Sequence, residues 1–322
     1  MIRFATIGTG WIVRAFLQGA GTVPELRWSH CYSRTMERAE AFGGHQVRLW
    51  DDLEKLAACP DLDAVYIASP NSLHAAQSRL FLEHGKHVLC EKPAALSLKE
   101  QQELITLAGE KNLVYGEAMM TAHLPQLAAL RQLLQKAGPL HTVRLDFSQY
   151  SSRYPALLAG ERPNVFLPEM GGGALLDLGV YCISLAASLW GRPEKVTGWQ
   201  RLLPTGADGS GGAVLHYGDF DGVLTWSKTC SGTEGVQICG ENGTITGDSV
   251  SMLSRLTWQE RGKEPEIWTG PSTHGEAMAW EAAHFAEAVL NPNGHDRMDS
   301  WNQLSLLVRE ITEQVRHSAA IQ

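Results

Sequence analysis

Two places in this 322-residue chain set side chains able to exchange a proton in a context that could put them to chemical use. One is Glu91-Lys92-Pro93, which closes the apolar run His87-Val88-Leu89-Cys90. Taken alone, a lysine after a strand reads as a solvated charge, and adjacent Glu and Lys make at most a weak surface pair. The other place is Asp177 with Tyr181, in a segment that is otherwise apolar from Ala174 to Trp190. Asp177, Tyr181, Ser184 and Ser188 fall on one stripe at helical spacing. A carboxylate and a phenol one turn apart in a buried helix need partners, because an unpaired buried charge is costly. They either bond a neighbouring loop or face a polar cavity. Lysine and tyrosine both ionise near pH ~10 in water, so acid/base work near neutrality requires tuning by burial or by cationic neighbours.

A cofactor turn precedes them. Gly8-Thr9-Gly10-Trp11-Ile12-Val13 stands between a strand-like and a helix-like run, a G-x-G-x-x-G in which Val13 replaces the third glycine. Gly8 permits the tight turn, and Gly10 lets a pyrophosphate approach the helix start at Trp11 and Ile12, where unpaired N–H groups favour an anion. The end of the second strand carries Ser33-Arg34, with Arg38 a turn later, where an NAD site would carry Asp or Glu. A guanidinium fork and a hydroxyl suit a 2′-phosphate, so NADP(H) is expected ahead of NAD(H). The alternative is that these arginines are surface charges without a role.

The elements that must position these groups follow from hydrophobic periodicity. Strands are expected at Arg3–Gly8, Arg27–Ser33, Val47–Trp50, Ala64–Ser69, His87–Cys90 and Leu113–Gly116, alternating with amphipathic helical stretches. One of those helices has Ser72 as its N-cap candidate and Gly85 as its stop. This rhythm predicts an α/β Rossmann domain with a doubly wound parallel sheet over residues 1–118. Ligands of such a sheet gather outside the carboxyl ends of its strands. At those ends lie Gly8 and Gly10, Ser33 and Arg34, Ser69-Pro70-Asn71, Glu91-Lys92-Pro93 and Glu117. That shared edge makes Lys92 a candidate active-site residue. Asn71 and His74 follow the fourth strand on a cofactor-facing loop, although His74 could equally be an exposed histidine of a first helical turn.

Residues 119–322 read differently: an α+β domain with a mostly antiparallel open sheet, expected to bind substrate. Its strands are expected at Thr142–Gln149, Lys195–Leu202, Gly212–Tyr217, Gly222–Ser227, Gly235–Cys239, Gly243–Thr246 and Ser251–Trp258, with closing helices at Glu276–Leu290 and Ser300–His317. Ser151 to Pro168 reads as a loop, either covering a pocket or merely solvated. A net charge of −8 argues against nucleic-acid or anionic-membrane partners, and no run of about 18 apolar residues suggests a membrane span. Six scattered cysteines read as reduced, mostly buried thiols of a cytoplasmic protein without a signal peptide, and twelve dispersed histidines show no metal-ligand spacing.

Gly8-x-Gly10, Ser-Pro-Asn-x-x-His at 69–74 and Glu91-Lys92-Pro93, in this order and spacing, resemble the glucose-fructose oxidoreductase/inositol dehydrogenase (Gfo/Idh/MocA) family. The resemblance implies that Lys92 reaches the reacting oxygen, that Asn71 and His74 contact the nicotinamide end, and that Pro93 follows a cis bond. Gly171-Gly172-Gly173 through Asp177, Gly179 and Tyr181 is similar to that family's second signature, with tyrosine where most members carry histidine. Tyrosine there resembles the dihydrodiol dehydrogenase branch. The implied activity is NADP(H)-dependent hydride transfer at a secondary alcohol or carbonyl of a sugar, polyol or trans-dihydrodiol, with Lys92 and Tyr181 sharing acid/base duty and Asp177 positioning the alcohol. Two other readings remain: an NAD-dependent glycosidase using a transient oxidation, and a nucleotide-binding sensor without catalysis. The resemblance also implies a homodimer or higher homo-oligomer paired through the C-terminal sheet, with Trp199, Trp226 and Trp258 either on that face or in the core.

Overall fold

The computed structural model describes residues 1–233, 235–291 and 295–320. In chain order the helices are α1 (Trp11–Ala20), α2 (Met36–Gly43), α3 (Leu53–Ala57), α4 (His74–Glu83), α5 (Leu98–Glu110), α6 (Pro125–Ala137), α7 (Tyr154–Leu158), α8 (Val180–Trp190), α9 (His274–Leu290) and α10 (His295–Ala320). The chain forms two compact units: Met1–Met119 with Thr273–Leu306, and Met120–Ser272 with the residues from Leu307 onward.

The first unit contains a six-stranded parallel sheet of β1 (Ile2–Ile7), β2 (Leu26–Tyr32), β3 (Arg48–Trp50), β4 (Ala64–Ile67), β5 (His87–Glu91) and β6 (Tyr115–Ala118). Their order across the sheet is β3-β2-β1-β4-β5-β6. This is the doubly wound Rossmann arrangement, with its direction reversing between β1 and β4. All four residues of β4 are buried, as a central strand covered on both faces requires. The core continues into Phe81, Leu82, Val88, Cys90, Leu104 and Tyr115. At the reversal the backbones close in: a Cβ on Gly8, whose φ is +122°, would stand 2.6 Å from the Ala68 carbonyl oxygen.

Two local expectations change. Ser72 is not the N-cap of α4; a 3-10 turn at Asn71–Leu73 precedes that helix, Leu73 occupies the N-cap position, and no side chain caps it. The turn tightens because the Leu73 N–H donates to the Pro70 carbonyl at 2.9 Å. The C-terminal helices also do not all follow chain order. Residues 273–306, expected within the second domain, belong to the first unit. There α9 packs on α1, and the Trp301 indole N–H donates to the Glu117 carbonyl at 2.9 Å.

The second unit is organised on an eight-stranded sheet of β7 (Leu140–Ser148), β8 (Lys195–Leu202), β9 (Asp208–His216), β10 (Asp221–Ser227), β11 (Val236–Gly240), β12 (Gly243–Gly247), β13 (Arg255–Glu260) and β14 (Glu266–Thr269). The order is β14-β13-β12-β11-β7-β10-β9-β8. Every neighbouring pair is antiparallel except β7 with β10, which run parallel. The last expected strand starts later, at Arg255, because Ser249 Oγ accepts from the N–H groups of Ser251 and Met252 and turns the chain there. The short strand β14 lies beyond those read from the sequence, and the stretch read as loop contains the five-residue helix α7.

Pro168–Trp190 is long and apolar enough by composition to cross a membrane, but 72% of its most apolar window is buried within the protein. It is built of unlike pieces: a 3-10 turn at Pro168–Met170, a π-helical turn at Leu175–Gly179, and α8. This segment packs on β7 and β10. Trp226 and Trp258 are each 1% exposed. Both are therefore core residues, the second of the two readings left open for them; Trp199 is half-buried. Gly179 is required beside the first of them, since a Cβ there would come within 2.6 Å of the Trp226 ring.

Gly179→Ala is expected to destabilise the protein by about 1–3 kcal/mol, because the enclosed indole has little room to give way; chemical denaturation measures the loss. A second expectation concerns Glu281 on α9, which is fully buried with neither carboxylate oxygen hydrogen-bonded among the described residues. Burial, reinforced by Glu91 and Glu117, pushes its carboxyl well above the ordinary value. The folded state thus keeps a proton that the unfolded chain releases above about pH 4.3, so stability falls as pH rises through that window. Glu281→Gln should make this decline shallower by up to about 1.4 kcal/mol per pH unit. Denaturation midpoints between pH 5 and 9 measure it; an unchanged slope would contradict a protonated Glu281.

Candidate functional site

The cofactor turn is built at the start of α1. Gly10 is its N-cap, no side chain caps it, and the first turn carries no acidic residue. A Cβ on Gly10 would meet nothing within 4 Å, so the backbone there is open to a ligand. Unpaired N–H groups and an open approach fit a pyrophosphate. Trp11 is 66% exposed, and its ring stands edge-on to His274 at 5.2 Å. Ile12 is half-buried. Val13, in place of the third glycine, is fully buried, so this departure from the motif is absorbed as core packing.

At the end of β2, Ser33 is buried and its N–H donates to the Trp50 carbonyl at 3.1 Å. Arg34 and Arg38 are both exposed, flanking a helix start, that of α2, where no side chain supplies a cap. Cationic fork groups beside free N–H groups fit a 2′-phosphate.

The turns after β4 and β5 are joined through His74. Its ring is 1% exposed, with Nδ1 2.9 Å from the Pro93 carbonyl oxygen and Nε2 2.8 Å from that of Ser69. His74 thus braces two turns and does not present its ring at the surface. Burial pushes its pKa down, whereas the two carbonyls and Glu117 oppose that shift. A neutral imidazole can donate to only one of those carbonyls. Ser69 Oγ donates to Gln77 Oε1 at 2.6 Å, and Pro70 and Asn71 are half-buried at the head of the 3-10 turn.

Lys92 is half-buried directly after β5, and the Lys92–Pro93 bond is cis. Glu91 points inward: Tyr66 donates its hydroxyl to Oε1 at 2.5 Å, and the Lys92 N–H donates to Oε2 at 3.3 Å. Burial raises the Glu91 carboxyl above its ordinary value. The chain after Pro93 is held by Glu117, which accepts from the Ala94 N–H at 2.9 Å and from Ser305 Oγ at 2.6 Å. Gln101 Nε2 donates to the same Ser305 hydroxyl at 2.9 Å and connects it to Tyr115. Glu117 stood out in the sequence only as a strand-end acid, and Ser305 and Gln101, remote in sequence, carried no motif.

In the second unit the π turn places Asp177 off the α-helical register on which the sequence stripe was drawn. The turn is seeded by Asp208, a buried carboxylate that accepts the Leu175 N–H at 2.7 Å and lies against Gly173, whose φ is +128°. Burial pushes the Asp208 carboxyl up. Asp177 Oδ2 accepts from Lys228 Nζ, at the end of β10. Asp177 thus bonds a neighbouring segment, as one reading of the stripe has it, while 41% of its side chain stays exposed. Tyr181 is half-buried, its ring edge-on to Phe147 at 5.5 Å. Ser184 is buried, and among the described residues neither its hydroxyl nor that of Ser188 has a hydrogen-bond partner. The polar stripe thus ends at Tyr181. Nothing in the sequence singled out Lys228 or Asp208.

Comparison with known proteins agrees with this architecture. Residues 2–119 match the family model described as oxidoreductase family, NAD-binding Rossmann fold, and residues 127–246 match the GFO/IDH/MocA C-terminal domain. The chain is 39% identical to scyllo-inositol 2-dehydrogenase (NADP(+)) IolU of Bacillus subtilis over 100% of this chain and 98% of that protein. It is 31% identical to trans-1,2-dihydrobenzene-1,2-diol dehydrogenase of Xenopus tropicalis over 89% of each. Among solved structures, the 3-ketoreductase KijD10 from Actinomadura kijaniata, in complex with TDP-benzene and NADP in an open conformation, superposes with a TM-score of 0.82 at 26% identity, covering 98% of this chain and 97% of that one. The N-terminal Rossmann unit, the mixed sheet of the second unit and these relatives together make this chain a member of the Gfo/Idh/MocA family of oxidoreductases.

Proposed function

We propose that this oxidoreductase uses NADP(H) to interconvert a secondary alcohol and its carbonyl on a cyclic polyol, a sugar or a trans-dihydrodiol. The observation that carries the cofactor choice is the exposed pair Arg34 and Arg38 at the uncapped start of α2, where an acid would stand in an NAD site. The substrate class follows the relatives: IolU is by name an NADP(+) scyllo-inositol dehydrogenase, and the amphibian relative acts on a trans-dihydrodiol.

NADP(H), when bound, supplies or accepts the hydride. Gly8, Gly10, Trp11 and Ile12 form the pyrophosphate turn, and Ser33, Arg34 and Arg38 hold the 2′-phosphate. The turns Ser69-Pro70-Asn71 and Glu91-Lys92, braced by His74, line the nicotinamide end. Lys92 Nζ exchanges the proton at the reacting oxygen: it takes the hydroxyl proton as the alcohol is oxidised and returns it on reduction. Tyr181 shares that acid/base duty, and the Asp177 carboxylate accepts a hydrogen bond from the substrate hydroxyl. The protein works in the cytoplasm as a homo-oligomer paired through the sheet of the second unit, whose exposed apolar residues include Val223 and Ile267. Light scattering on an eluting peak tests that assembly, and a monomeric mass would refute it.

Titration of intrinsic tryptophan fluorescence with both reduced cofactors should show NADPH binding tighter than NADH. Replacing Arg34 and Arg38 together by alanine should weaken NADPH binding by about 10- to 100-fold while leaving NADH nearly unchanged, since only charge-assisted bonds to the 2′-phosphate are lost. Tighter NADH binding by the unaltered protein would overturn the cofactor reading. For the chemistry, a screen of NADP+ reduction over aldoses, polyols and trans-dihydrodiols identifies the substrate. Lys92→Met and Tyr181→Phe should then each lower kcat by about 100-fold or more, with NADPH affinity kept. Near-normal turnover in both variants would remove these residues from the acid/base role.

A further inference from the structure

We propose that Lys228 is a positioning residue for the substrate hydroxyl, holding the Asp177 carboxylate in place from beneath. The inference rests on the reading that Asp177 receives that hydroxyl. Lys228 lies where β10 ends, directly after the buried Trp226 and Ser227. Its backbone is fixed on both sides: its N–H donates to the Gly209 carbonyl at 2.8 Å, and its carbonyl accepts from the Ser151 N–H at 2.9 Å. Ser227 Oγ accepts from the N–H groups of Thr229 and Cys230 and turns the chain immediately beyond it. The root of the side chain therefore has little freedom. Its ammonium donates to Asp177 Oδ2 and stands 5.8 Å from the centre of the fully buried Phe166 ring.

The pair is asymmetric. The lysine side chain is 6% exposed and the aspartate side chain 41%. A surface ion pair has both ends in solvent, and an enclosed structural pair has neither. Here the cation is enclosed and the anion is partly exposed, so the countercharge and the hydrogen bond of Lys228 reach Asp177 from the protein side. Asp177 itself sits in the π turn, seeded through Asp208, which moves it off the α-helical register. Two independent parts of the fold, a strand end and a widened helical turn, thus converge on the orientation of one carboxylate. Phe166 adds a ring face toward the ammonium, a contact that attracts a cation.

The test compares Lys228→Met, Lys228→Gln, Lys228→Arg, Asp177→Asn and the double variant Asp177→Asn/Lys228→Met. Steady-state kinetics use NADP+ with scyllo-inositol or trans-1,2-dihydrobenzene-1,2-diol, whichever the unaltered protein oxidises, alongside NADPH titration and thermal melting. Lys228→Met and Lys228→Gln should lower kcat/KM by about 10- to 100-fold, chiefly through KM, with NADPH affinity unchanged. Lys228→Arg, which keeps the charge, should recover most of that loss. The double variant should be no worse than Asp177→Asn, because Lys228 acts through Asp177. A lower melting temperature with unchanged kinetic constants would assign Lys228 to folding alone and overturn the inference. So would losses that multiply in the double variant. Should Lys228→Met not fold, the contrast between Lys228→Gln and Lys228→Arg decides. Full kcat/KM in Asp177→Asn would instead strike the functional reading of Asp177, and the inference with it.

Discussion

The first unit depends on how closely the carboxyl ends of β1 and β4 approach one another. Gly8 lies against the Ala68 carbonyl at a distance no side chain would allow, and this contact falls where the strand order reverses. With that approach made, the turn after β1 can present the open backbone of Gly10 to a ligand, and the turn after β4 can start its 3-10 coil at Asn71. The turn after β5 is then fixed by His74 and Glu117, which hold Pro93 and Ala94 by their backbone atoms. Lys92 owes its position to these contacts with its neighbours. The cost of leaving such buried backbone groups unsatisfied makes the arrangement specific.

The second unit solves a different problem with similar means. An apolar segment must pack on a sheet and still deliver a carboxylate to an accessible place. A continuous α-helix from Ala174 would carry Asp177 in the register of its neighbours; the π turn at Leu175–Gly179 changes that register, and Asp208 secures its first N–H. Gly179 lets the same turn lie directly on Trp226. Lys228 follows Trp226 by two residues, so the indole that seats the turn and the ammonium that meets Asp177 come from the same strand end. Packing and charge are thus coupled locally, within a few residues of β10.

Much of this was legible in the chain. The six parallel strands of the first unit were expected close to their observed limits because central strands bear near-continuous apolar runs ending in turn residues. The cofactor turn could be read because only glycine fits a backbone of positive φ pressed against a neighbouring strand. Local signals failed where long-range contacts decide. Ser72 has the chemistry of an N-cap, yet the 3-10 turn displaced the helix start. Trp226 and Trp258 left an interface and the core both open, and only the packing of the sheet put them in the core. Residues 273–306 continue the chain of the second unit but pack with the first, and hydrophobic periodicity records only that a face is apolar, never what covers it.

What the sequence alone determined is the chemistry on offer and the local frame: the G-x-G turn, Ser33-Arg34 in place of an acid at the end of the second strand, the lysine at a strand end, and a carboxylate and phenol in an apolar segment. These depend on residue type and on spacings of a few positions, which periodicity and turn chemistry can resolve. The tertiary structure alone decided the partners. Lys228 lies 51 residues from Asp177, Ser305 lies 188 from Glu117, and Asp208 lies 33 from Leu175. A buried charge announces that it needs a partner, but which residue answers depends on how sheet and helices bring distant segments within about 3 Å, and no local pattern encodes that distance.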